Sequence, residues 1–68
     1  MSKEETIELT GDTIREFRLS NGWTQKHFGK LLGCTGQIVS LWEREIHKPN
    51  MIFAYKLRKL MLRAWDDE

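Results

Sequence analysis

Cysteine and proline are nearly missing from this 68-residue sequence, which has one of each, Cys34 and Pro49. A single cysteine excludes an internal disulfide framework. His27 and His47 stand 20 positions apart with no second cysteine, so no zinc-ligand spacing is present. No apolar run approaches the roughly 18 residues of a membrane span, and no charged-then-apolar leader opens the sequence. No glycine-rich loop sits between a strand pattern and a helix pattern to cradle a phosphate. Length adds a further exclusion. So short a chain forms one domain at most and buries only about 60% of its unfolded surface. A pocket that encloses a substrate would consume most of that core. The expectation is therefore a small cytoplasmic protein that is not an enzyme and needs neither cofactor nor metal.

What is present is charge, unevenly placed. Charged residues make up 31% and apolar residues 40%, with a formal net charge of +1. That balance is globular rather than disordered. Residues 1–12 carry a net −3, residues 13–65 a net +7, and residues 66–68 a net −3. A basic body between acidic ends suits a domain that binds a polyanion. A solvated surface with charged tails is the plainer alternative.

Helix punctuation divides the body. Residues 1–9 read as a flexible or extended arm, in which the alternation from Thr6 to Thr10 also fits a short strand. Thr10 can cap a first helix carrying Ile14 and Phe17, stopped by Ser20-Asn21-Gly22. Thr24 caps a second, with an apolar stripe of Phe28, Leu31 and Leu32 and a stop at Gly33. Trp23 precedes that cap and can fold back on Phe28 as a hydrophobic staple. Thr35 caps a third, Gly36 to Arg44, with Val39, Trp42 and Ile46 spaced to face inward. Asn50 caps a fourth of about 14 residues by its pattern. The domain is expected over 10–65, with 66–68 as an acidic tail. Gly33-Cys34-Thr35 is a tight connection, so the second and third helices must meet steeply. One braces and the other projects, which is the geometry of a helix-turn-helix.

At this point the stretch from Ile14 to Leu60 resembles the lambda-repressor-like (XRE-type) helix-turn-helix domain. The likeness is carried by Arg18, Gly22-Trp23-Thr24-Gln25, Phe28-Gly29-Lys30-Leu31-Leu32-Gly33, Val39-Ser40-Leu41-Trp42-Glu43-Arg44 and Lys48-Pro49. It implies a compact all-α four-helix fold and a transcriptional regulator binding double-stranded DNA. By the resemblance, Arg18 pairs with Glu43 and Gly29 lets the second and third helices approach. Gly36, Gln37, Ser40, Leu41 and Arg44 take the positions that face base edges. Thr24, Gln25, Lys26, His47 and Lys48 take those that meet phosphate. An amide such as Gln37 can pair with adenine on two edges, and Leu41 can meet a thymine methyl.

Two departures stand out. Glu45 occupies a position where the family commonly has glycine, so the exit of the third helix is expected to be strained or altered. Gly36 has no side chain where relatives often place a reader. A lone domain with few base contacts is expected to act as a homodimer on an inverted repeat, through Met61, Leu62 and Trp65 or through the Ile7–Leu9 arm. A compact repressor of the phage or plasmid kind fits this form. The alternative is an interaction module such as an antitoxin bound to a toxin.

Overall fold

Four short polar residues start four helices. In the computed structural model, which describes residues 8–66, these are α1 (Gly11–Ser20), α2 (Gln25–Leu32), α3 (Gly36–Glu43) and α4 (Met51–Asp66). The Thr10, Thr24 and Thr35 hydroxyls accept from the backbone N–H three residues on, at 3.1, 3.0 and 3.3 Å. Asn50 Oδ1 does the same for Phe53 N–H at 2.9 Å. Each satisfies a donor that the first helical turn leaves free. No strand occurs among the described residues. Ile7 lies outside them, and Leu9 rests partly buried on the core instead of belonging to a free arm.

The first three helices stop in the same way. At the end of α1, Gly22 N–H donates to Leu19 C=O and Trp23 N–H to Arg18 C=O. At the end of α2, Gly33 donates to Lys30 and Cys34 to Gly29; at the end of α3, Glu45 donates to Trp42 and Ile46 to Leu41. These are three Schellman motifs, each turning on one left-handed residue. Gly22 (φ +70°), Gly33 (φ +82°) and Glu45 (φ +60°) hold that position. Glu45 thus adopts the conformation that suits glycine, and the exit of α3 keeps its geometry at the cost of strain. The helix also stops one residue short of the expected Arg44, which becomes its cap.

The core takes Ile14 from α1, Phe28 and Leu32 from α2, Val39 and Trp42 from α3, and Leu57 and Met61 from α4. Trp23 stacks on Phe28 at 5.6 Å, closing the turn before α2, and Trp42 meets Phe53 at 5.4 Å, fastening α4 to α3. Lys56 Nζ donates to Leu32 C=O at 3.2 Å, so α4 also caps the end of α2. Two residues expected inside lie outside. Leu31 is 49% exposed at the outer edge of α2, and Ile46 is 55% exposed. The left-handed turn at Glu45 ends the helical register before Ile46, so its spacing from Trp42 no longer aims it inward.

Backbones approach where side chains are missing. A Cβ on Gly29 would lie 2.6 Å from the Thr35 carbonyl carbon, and one on Gly11 would lie 2.4 Å from Glu43 O. Gly29→Ala should lose about 1–3 kcal/mol of stability through overpacking. Glu45→Gly should gain about 1 kcal/mol by releasing the left-handed strain. Urea denaturation of both variants against the wild type reads the two signs directly.

Candidate nucleic-acid interface

The angle at which α3 stands on α1 and α2 is set by one carboxylate. Arg18 Nε donates to Glu43 Oε2 at 2.6 Å and Arg18 Nη2 to Glu43 Oε1 at 3.0 Å, a two-point ion pair. Arg18 Nη1 also donates to Trp23 C=O at 2.9 Å, and Gln25 Nε2 donates to Glu43 Oε1 at 3.2 Å. The Arg18 and Glu43 side chains are only 12% and 5% exposed. The bond to Glu43 raises the Arg18 pKa above its ordinary value, against the opposing effect of burial. Arg18 therefore stays charged throughout the working pH range.

With its back fixed, α3 turns the other face out. Successive residues step around a helix by about 100°, so Gln37 and Arg44 fall on nearly one line, flanked by Ser40 and Leu41. That line is opposite buried Val39 and Trp42. Gln37, Ser40, Leu41 and Arg44 line one shallow depression. Within it Arg44 Nε donates to Ser40 Oγ at 3.2 Å, so the guanidinium lies back along the helix. Gln37 also shares a concavity with Lys26, Lys30 and Cys34, linking the start of α3 to α2. Burial raises the Cys34 thiol pKa, with the charge of Lys56 and a hydrogen bond to Thr35 working against it.

The remaining site residues divide. Thr24 and Lys26 are exposed at the start of α2, and His47 and Lys48 are exposed in the loop after α3. His47 N–H donates to Leu41 C=O at 3.3 Å, which holds that loop against the end of α3. Gln25 is partly buried with its amide engaged by Glu43. Gly36 does not present an open face. A Cβ there would lie 2.9 Å from Lys26 N, so its missing side chain lets α3 pack closely on α2. Among the dimer candidates, Met61 is 2% exposed, because it follows Leu57 by one turn and enters the core. Leu62 is partly buried on that core, and the Trp65 side chain lies outside the described residues.

Sequence reasoning missed the Gln25–Glu43 bond, the Ser40–Arg44 bond and the Lys56 cap. The first two join long polar side chains whose partner is a matter of rotamer. Gly11 was legible in principle, because glycine in a first helical turn is a poor helix former and marks a close approach.

A family model described as helix-turn-helix matches residues 14–61, spanning all of α2 and α3. No curated protein and no solved structure matches the chain.

Removing the carboxylate should be expensive. Glu43→Ala leaves a largely buried guanidinium unpaired and should lower stability by roughly 3 kcal/mol. Chemical denaturation measures it; a loss of under about half a kcal/mol would mean solvent already carries the pair.

Proposed function

The chain belongs to the lambda-repressor-like (XRE-type) helix-turn-helix family of DNA-binding transcription regulators, and from that premise we propose a small repressor acting as a homodimer on an inverted-repeat operator. In this reading α3 enters the major groove. What carries the reading is the outward line of Gln37 and Arg44 on a helix whose opposite face is locked by Val39, Trp42 and Glu43.

The roles follow from chemistry. The Gln37 amide donates to and accepts from one adenine edge, and Leu41 packs on a thymine methyl. Arg44 reaches a guanine or a phosphate, released from or steered by Ser40. Thr24, Gln25 and Lys26 meet the backbone on one side of the groove and His47 and Lys48 meet it on the other, fixing register without reading sequence. Gln25 reaches phosphate through its backbone N–H at the start of α2, since its side chain holds Glu43. Two copies set the recognition helices one turn of DNA apart, about 34 Å. Bound to a promoter in the cytoplasm, such a dimer represses by covering the DNA.

Selection of bound sites from random duplex DNA with the purified chain tests this and yields the half-site directly. Gln37→Ala should then cost about 1–3 kcal/mol at one base step and relax preference there alone. Lys48→Ala should weaken all duplexes alike and lower the slope of log K against log salt by about 0.9. An unchanged footprint in Gln37→Ala would remove α3 from the role of reader.

A further inference from the structure

Arg44 is fastened to Ser40 twice. It caps the end of α3 with its backbone N–H on the Ser40 carbonyl at 3.0 Å, and its Nε donates to Ser40 Oγ at 3.2 Å. Among the described residues no carboxylate draws it elsewhere. Glu43, one residue before it, holds Arg18 and Gln25. Glu45, one residue after it, turns to α1, where a Cβ on Gly11 would lie 2.8 Å from its Cγ. The depression that Arg44 shares with Gln37, Ser40 and Leu41 has no acidic side chain in its lining.

The bond to Ser40 decides which donors face out. A guanidinium carries five N–H donors in a rigid fork, one on Nε and two on each Nη. Ser40 takes the Nε donor and leaves the two Nη groups as a two-pronged end. In the major groove guanine offers O6 and N7 side by side, two acceptors for that end. Phosphate contacts need no such preparation, since they position a protein and carry no sequence. Tied back along α3, the guanidinium stays over the reading face instead of swinging out to a strand. Gln37 and Arg44 lie seven residues apart on α3, about 10 Å at the rise of a helix. That distance spans about three base steps.

Resting on the DNA reading above, we propose that Ser40 is a positioning residue. It touches no base itself. It holds Arg44 so that the Nη end of the guanidinium reads a guanine, about three base steps from the adenine that Gln37 reads. Arg44 is then a specificity determinant in place of a phosphate anchor, and the bases read by α3 are purines at both ends of its footprint.

Replacing one base pair at a time in the half-site selected by the wild type tests it. Arg44→Ala marks the base pair: it should abolish a guanine preference of roughly five- to 150-fold there and leave the slope of log K against log salt nearly unchanged. Ser40→Ala should lower that same preference at least about threefold. It should leave the preference at the Gln37 position as it is and keep binding to random duplex DNA. Ser40→Thr, which retains the hydroxyl, should keep the wild-type preference. Circular dichroism at the wild-type level shows that all three variants fold. Three results would each overturn the role of Ser40: full guanine preference in Ser40→Ala, a Ser40→Thr that behaves as Ser40→Ala, or an Arg44→Ala that weakens all duplexes alike with a salt slope lower by about 0.9. In each of these the preference read by Gln37 leaves the DNA reading standing. A wild-type chain that binds no duplex overturns both.

Discussion

One largely covered carboxylate holds three helices in a single arrangement. Glu43 ends α3, accepts from two of the three guanidinium nitrogens of Arg18 from α1, and accepts from the amide of Gln25 from α2. Arg18 in turn takes the carbonyl of Trp23, so the turn between α1 and α2 is tied to the same point. Charged groups largely withdrawn from water are costly unless paired. The pair also has geometry, because a planar guanidinium meets a carboxylate in one orientation. The direction of α3 is therefore a consequence of where Glu43 must sit to satisfy its partners.

Small residues finish what the ion pair begins. Gly29 and Gly36 let α2 and α3 touch backbone to backbone, and Gly11 brings the start of α1 against the carbonyls that end α3. At these points a helix cannot slide without a clash. The result is a rigid mount with a short rod on it, and the exposed side chains of the rod are few: Gln37, Ile38 and Arg44, with Ser40 and Leu41 partly covered. Rigid placement matters more when readers are few, since each contact must arrive already oriented.

Much of this was legible in the sequence, for physical reasons that differ by residue. Thr10, Thr24, Thr35 and Asn50 announced four helix starts because capping is local chemistry. Gly22 and Gly33 announced two stops for the same reason. The inward stripe of Val39 and Trp42 followed from helical spacing, while Ile46 did not, because the chain had already turned at Glu45. Leu31 was misjudged since spacing gives the face of a helix but not the edge of the neighbour that would cover it. Met61 was given an outward role and is buried in the core; which way a position faces is decided by tertiary approach, and that is invisible in one strand of text. Gln25 was assigned to phosphate and proves to have a prior commitment of its side chain.

The three left-handed stops also bear on how the chain reaches this state. They make every connection short: four residues between α1 and α2, three between α2 and α3, and seven between α3 and α4. Little loop entropy has to be surrendered before neighbouring elements reward one another. Small helical domains built from such local contacts fold on the microsecond-to-millisecond scale. A chain of this build recovers from thermal or mechanical opening far faster than a ribosome adds its next residue.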